Sequence, residues 1–126
     1  MRAVDTNVLV RLLVQDDPGQ LAAARQWVQG GVWVSTLALA ETLCVLSVVF
    51  HRSPSEIAAS VETLLNRRDL TLQDPDVAAA ALARYRERPS VGCSDCLLLE
   101  LARKTGHLPL GTFDRNLGRL DGAQKL

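Results

Sequence analysis

The sequence predicts a mixed α/β fold built on a central parallel sheet. Short apolar runs alternate with longer helical stretches along the 126 residues, a pattern typical of parallel sheets with helices on both faces. The apolar fraction is 48% and the charged fraction 22%, as in ordinary globular domains. A chain of 126 residues is long enough to form one hydrophobic core without disulfide bonds or a structural metal. We therefore expect residues 1–126 to form a single domain.

The first half of the chain predicts two strands and three helices. Asp16-Asp17-Pro18 can begin a helix, since aspartate caps helices and proline fits the first turn, and Gly30-Gly31 stops it. The predicted elements are a strand at Arg2–Asp5, helices at Asn7–Val14 and Gln20–Gln29, a strand at Val32–Ser35 and a helix at Thr36–Phe50.

The second half continues the alternation. Ser53-Pro54-Ser55-Glu56 is a capping box, and Gly106 ends a helix that starts at Ser94-Asp95. The predicted elements are a helix at Glu56–Asn66, a strand at Leu70–Gln73, a helix from Asp74-Pro75 to about Arg86, a helix through Lys104, a strand at Leu108–Phe113 and a final turn or short helix at Asp114–Leu120.

Four acidic residues are the only charges on apolar segments. They are Asp5 in Ala3–Val10, Glu41 in Val32–Phe50, Asp95 in Pro89–Leu99, and Asp114 directly after Leu108–Phe113. A buried lone carboxylate costs roughly several kcal/mol unless it is paired, protonated or metal-bound. Asp5, Asp95 and Asp114 could instead cap helices, whereas Glu41 has no basic residue three or four positions away.

Topology predicts a common location for these four acids. Asp5 ends the first strand, Asp114 follows the last, Asp95 opens a helix, and Glu41 lies two turns into the helix after the second strand. The carboxyl ends of parallel strands share one edge of the sheet, where ligands bind. We therefore expect one anionic site.

Clustered carboxylates repel one another unless a cation neutralises them. Hard oxygen donors favour Mg²⁺, or Mn²⁺, over zinc or copper. Such an ion can activate a water and stabilise charge at phosphorus, so phosphodiester hydrolysis suits these parts best. The histidines stand alone, and Cys93-Ser94-Asp95-Cys96 lacks a second ligand pair. We therefore interpret Cys44, Cys93 and Cys96 as structural or incidental thiols.

The acids lie in motifs that resemble those of the PIN domain, and more narrowly of VapC toxins of type II toxin–antitoxin modules. The motifs are Val4-Asp5-Thr6-Asn7-Val8-Leu9, Ala40-Glu41, Ser94-Asp95-Cys96-Leu97-Leu98, and Thr112-Phe113-Asp114-Arg115-Asn116-Leu117. Each is weak alone, but their order and spacing over nearly the whole chain are specific.

The resemblance implies a PIN-like three-layer α/β/α domain and Mg²⁺- or Mn²⁺-dependent endoribonuclease activity. It also implies an RNA substrate, homodimerisation and a cognate antitoxin partner. Carried over by position, Asp5, Glu41, Asp95 and Asp114 form the catalytic and metal-binding set, with Thr6, Asn7 and Thr112 positioning ligands or substrate. Some relatives carry a further acid where this chain has Gly92, so one metal is better supported than two.

Charge and hydropathy restrict the partners and the location that we expect for this protein. Formal net charge is zero, but setting the four acids aside leaves ten acidic residues against 14 basic ones, a surface that suits a polyanion. No apolar run spans a bilayer and no leader precedes the first strand, so we expect a cytoplasmic protein. Trp27 and Trp33 are expected in the core, although either could instead contribute to an apolar groove for the antitoxin. A non-catalytic RNA- or protein-binding module and an aspartyl phosphotransferase remain as alternative functions.

Overall fold

The computed structural model describes all 126 residues and contains five strands, six helices and one 3₁₀ turn. The strands are β1 (Arg2–Ala3), β2 (Val32–Val34), β3 (Leu70–Leu72), β4 (Leu110–Thr112) and β5 (Ala123–Lys125). The helices are α1 (Thr6–Val14), α2 (Pro18–Val28), α3 (Thr36–Val48), α4 (Pro54–Asn66), α5 (Pro75–Glu87) and α6 (Cys93–Lys104), with the 3₁₀ turn at Leu117–Arg119. The predicted α/β class is confirmed.

All strand pairs are parallel. The central sheet has the order β1-β2-β3, with Arg2 opposite Val32 and Val32 opposite Leu70. Pairs of helices connect β1 to β2, β2 to β3 and β3 to β4, the long crossovers that parallel strands require. Strands β4 and β5 form a separate parallel pair, with Thr112 opposite Lys125.

The helices start at residues that the sequence identifies. Asp5 and Asp17 cap α1 and α2 by accepting hydrogen bonds from the backbone amides of Val8 and Gln20, at 3.2 and 3.0 Å. Ser53 and Glu56 form the predicted capping box at α4, with both reciprocal hydrogen bonds present. These side chains satisfy amides that would otherwise lack partners, so local sequence fixes where these helices begin.

One hydrophobic cluster of 29 buried residues forms the core. Every helix contributes to it, and so do alternate strand residues, such as Val32 and Val34 of β2. Helix α1 packs on α2 and α3, α3 packs on α6, and α6 packs on α5. No helix combines the length and the apolar character needed to cross a membrane.

Both tryptophans lie outside this core, contrary to the expectation from sequence. Trp27 is 41% exposed and Trp33 39%. The Trp27 indole donates a hydrogen bond to the Ala3 carbonyl at 3.1 Å, and the Arg2 guanidinium lies 3.7 Å from its ring. Trp33 alternates with the buried Val32 and Val34, which places it on the opposite face of β2.

The C-terminal segment differs most from the prediction. The predicted strand at Leu108–Phe113 is shortened to Leu110–Thr112. The turn or short helix predicted at Asp114–Leu120 is present as the 3₁₀ turn at Leu117–Arg119. Strand β5, which was not predicted from sequence, follows that turn. Gly118 explains the tight packing here, because a Cβ atom at this position would lie 2.8 Å from the Lys125 Cβ.

Candidate functional site

Asp5 and Thr6 lie between the end of β1 and the first turn of α1, on the side of the chain that contacts Glu41. The Asp5 carboxylate caps α1 through the Val8 amide. The Thr6 hydroxyl, one residue later, donates a 2.7 Å hydrogen bond to Glu41 Oε2. Asp5 therefore has the structural role that the sequence allowed, and it also lies beside the residue that contacts Glu41.

Glu41 lies in the middle of α3 and is exposed. Its only hydrogen-bond partner is Thr6, and it forms no ion pair. Asp5 and Asp114 are exposed as well, because strand ends and one helix face open onto solvent even where adjoining residues are buried.

Asp95 lies in the first turn of α6. Gly92 is the N-cap residue, and no side-chain hydrogen bond caps this helix, so Asp95 is not the cap that its local sequence also allowed. Burial, followed by the negative charge of Asp114, raises the pKa of Asp95 above its ordinary value. Asp95 and Asp114 therefore share one electrostatic environment.

Ser94 joins α6 to α3. Its hydroxyl donates to the Ala40 carbonyl at 3.3 Å and lies 3.4 Å from Cys44 Sγ. From sequence, Ser94 was identified only as part of a helix start, and this contact was not predicted. Its position directly before an isolated aspartate was the available signal.

Asp114 is held at the end of β4 by two local hydrogen bonds. Its backbone amide donates to Thr112 Oγ1 at 3.0 Å, and its Oδ1 accepts from the Leu117 amide at 2.8 Å. Thr112 therefore contacts the backbone of an acid, as Thr6 contacts the side chain of another. Asn7 makes no side-chain hydrogen bond and lines a groove between α1 and α2.

Three links connect the four acids. Asp5 adjoins Thr6, which binds Glu41; Ala40 accepts from Ser94, which adjoins Asp95; and the charge of Asp114 acts on Asp95. The acids come from four separate segments of the chain. No three of their side chains lie close enough together to hold a metal ion.

The chemistry of the donor set nevertheless fits a hard divalent cation. All four groups are carboxylates, and the like charges of Asp95 and Asp114 oppose each other, which a cation would relieve. Thiolate ligands are disfavoured because burial raises the pKa of Cys93 to about 12 and that of Cys96 to about 11. All three cysteines are free.

Comparison with known proteins adds family membership. The family model of the PIN domain matches residues 2–123. The chain belongs to the PIN domain family. PIN domains are typically nucleases that use divalent metal ions, so the family implies a nucleic-acid substrate. Neither the curated proteins nor the solved structures contain a significant match.

Replacing Asp95 of this PIN domain with asparagine should stabilise the metal-free protein. Because the folded-state pKa of Asp95 is raised, ionised Asp95 opposes folding at neutral pH, and stability falls as pH rises from the ordinary aspartate pKa through the raised one. Removing the charge should add a few tenths of a kcal/mol, up to about 1 kcal/mol, as for other partly exposed charge pairs. Thermal melts in EDTA at pH 7 measure this change.

Asp69 provides a control of opposite sign. The Arg67 guanidinium donates two hydrogen bonds to its carboxylate and lowers the pKa of Asp69. Stability from this pair is present above the ordinary aspartate pKa and is lost as pH falls, so Asp69→Asn should lower the melting temperature. Equal destabilisation by both substitutions would show that Asp95 carries no electrostatic penalty.

Proposed function

We propose that this chain is a metal-dependent endoribonuclease of the VapC type, acting as a single domain over residues 1–126 in the cytoplasm. The observation that carries the proposal is the linkage of four acids from distant segments within a PIN domain. Acids that only cap helices or lie on the surface have no reason to be linked to one another. Acids that bind one cation must lie near each other, because all of them contact the same ion.

The proposed roles follow from the contacts. Asp5, Glu41, Asp95 and Asp114 would hold the divalent cation, Mg²⁺ or Mn²⁺. Thr6 positions Glu41 through its 2.7 Å hydrogen bond, and Thr112 positions Asp114 through its backbone. Asn7 stays a sequence-based prediction for substrate positioning. Gly92 leaves the third motif without an additional acid, so we propose one principal metal site.

Water is the proposed attacking group. The Cys93 and Cys96 thiols are held protonated at neutral pH, because burial raises the pKa of both. This disfavours the two thiols of α6 as nucleophiles. A divalent cation at the four acids would supply activation of that water and neutralisation of phosphate charge. The carboxylates orient the reacting groups, and the product of hydrolysis would be a shortened RNA.

The proposed toxin role rests on the four ordered motifs that resemble VapC proteins. An apolar groove between α1 and α2, lined by Val8, Ala24 and Trp27, is the surface we propose for an antitoxin segment. Induced expression of the chain should arrest bacterial growth. Co-expression of the protein encoded immediately upstream should relieve the arrest if that protein is the antitoxin.

A homodimer is proposed from the exposed apolar residues of α3. Leu37 is 70% exposed and Val48 73%, although the same helix buries Leu39, Leu43 and Leu46. A helix that is apolar all around is normally covered on all sides. The exposure of Leu37 favours an interface at this face of α3. Sedimentation of the purified chain at the mass of one chain would contradict this assignment.

RNA cleavage by the purified protein is the direct test. With millimolar Mg²⁺ or Mn²⁺, a single-stranded RNA should be cut internally and shortened, and EDTA should stop the reaction. The non-catalytic alternative predicts that RNA is bound but keeps its length in every metal. That result, obtained with folded protein, would remove the nuclease proposal.

A further inference from the structure

Phe113 is the most exposed aromatic residue of the chain. It is 81% exposed and contributes nothing to the hydrophobic core. Burying a phenylalanine side chain is worth roughly 1.5–3 kcal/mol, so a ring left in water is unexplained by folding. It directly precedes Asp114, one of the four acids.

The backbone around Phe113 is fixed. Thr112 pairs with Lys125 in the β4–β5 pair, and its hydroxyl binds the Asp114 amide. Asp114 in turn binds the Leu117 amide through its carboxylate and the Gly118 amide through its carbonyl. Both neighbours of Phe113 are therefore anchored, and a ring presented from such a segment loses little additional freedom when it binds a ligand.

Three exposed cations lie in the same C-terminal segment as this ring. Arg115, Arg119 and Lys125 are exposed, and none of their side chains forms an ion pair or a hydrogen bond. Gly118 packs directly against Lys125, which places the 3₁₀ turn carrying Arg119 beside β5. The opposing acids of this segment are Asp114 itself and Asp121, which lies 4.0 Å from Arg103.

The charges near Phe113 indicate which kind of ligand this surface would bind. Four carboxylates repel a phosphodiester, so a polyanionic substrate needs compensating positive charge nearby. Cations that track phosphates, beside an aromatic face that stacks a base, are the elements by which proteins bind single-stranded nucleic acid. A base in a duplex is already stacked and cannot lie on a side chain unless it is unpaired.

We propose that Phe113, Arg115, Arg119 and Lys125 form a platform for unpaired RNA, with a base stacked on Phe113 and adjacent phosphates on the cations. This platform, which rests on the proposed nuclease function, directs the phosphodiester beside that base to Asp114. Phe113 and the three cations are specificity-determining residues, distinct from the acids.

Kinetics on a single-stranded RNA test the role of the ring. Phe113→Ala should raise KM about tenfold, equivalent to about 1.4 kcal/mol, with kcat within about twofold of wild type. Phe113→Trp should restore KM, because it restores a stacking face.

A binding measurement separates this proposal from the nuclease proposal. In EDTA, an RNA oligonucleotide containing 2-aminopurine should lose fluorescence when its base stacks on the wild-type protein, and Phe113→Ala should abolish that quenching. This readout does not require cleavage. If the wild-type protein cleaves RNA but Phe113→Ala leaves KM and quenching unchanged, the platform is wrong and the nuclease stands. Quenching that depends on Phe113, without any cleavage, would support the platform as an RNA-binding surface and remove the nuclease.

Salt dependence tests the cations. Substitution of Arg115, Arg119 and Lys125 with glutamine should reduce the slope of log affinity against log salt by up to about 2, at roughly 0.7 per phosphate contact on a single strand. Arg68→Gln is the matched control, since Arg68 is also exposed and unpaired but precedes β3, at the other end of the strands. An unchanged slope, or equal cleavage of single-stranded and duplex RNA, would overturn the proposal. So would a change confined to oligomeric state, which would assign Phe113 to a protein interface.

Discussion

Replacing Asp5 with asparagine is expected to lower RNA cleavage at least about 100-fold while the fold stays intact. Residues that only support metal ligands typically cost roughly 10- to 100-fold when removed, and a residue of the acidic set itself should cost no less. The free energy of unfolding should change little, because asparagine caps helices as well as aspartate does. Its amide oxygen can accept the same Val8 hydrogen bond.

Asp17 offers a matched control for this experiment. It caps α2 through the Gln20 amide at 3.0 Å, as Asp5 caps α1, yet it is not linked to the acidic site. Asp17→Asn should retain wild-type cleavage, and circular dichroism melts should show both variants folded. Cleavage by Asp5→Asn within about threefold of wild type would assign Asp5 to helix capping alone.

Replacing Arg103 with alanine is expected to lower the free energy of unfolding by about 2–3 kcal/mol. Glu100 is only 7% exposed, and Arg103 Nε donates to its Oε2 at 3.2 Å. Arg103 also donates to the Asp121 carbonyl at 2.6 Å, which joins α6 to the turn before β5. Breaking a fully buried ion pair costs about 3–5 kcal/mol; here the cost is smaller because Arg103 is partly exposed and Arg84 remains 3.5 Å from Glu100.

Chemical denaturation of a small set of variants checks this prediction. Arg86→Ala removes an ion pair with Glu62 in which both side chains are about half exposed, so it should cost less than about 1 kcal/mol. The double variant Glu100→Leu/Arg103→Ala should be more stable than Arg103→Ala, since it also removes the buried charge that Arg103 neutralised. If Arg103→Ala costs no more than Arg86→Ala, Glu100 does not depend on Arg103.

Much of the fold follows from local sequence. The alternation of apolar runs and helical segments predicted the parallel α/β class, and the capping box at Ser53 marks the start of α4. Helix boundaries differ from prediction by two residues or fewer in most cases, because caps and breakers act within one turn of the chain. Placement of Asp5 after β1 and Asp114 after β4 is likewise a local property.

Strand β5, the pairing of β4 and the exposure of Trp27 depend on contacts between residues that are distant in sequence, so the local sequence did not predict them. β5 is a three-residue strand, Ala123–Lys125, with no alternating pattern of its own, and it exists because β4 pairs with it. Strand β4 does not join the central sheet. The edge strand β1 has only two residues, so it offers few backbone N–H and C=O groups for pairing. The exposure of Trp27 depends on its contacts with Arg2 and Ala3, more than 20 residues away.

The four acids show where local information ends and packing begins. Sequence alone identified Asp5, Glu41, Asp95 and Asp114 as isolated acids and predicted their convergence, since charge and position along a strand or helix are local properties. The contacts that join them came only from the folded chain: Thr6 binds Glu41, Asp114 raises the pKa of Asp95, and most of the acids lie exposed. Distances and solvent exposure depend on how separate segments pack together, and no single segment encodes that.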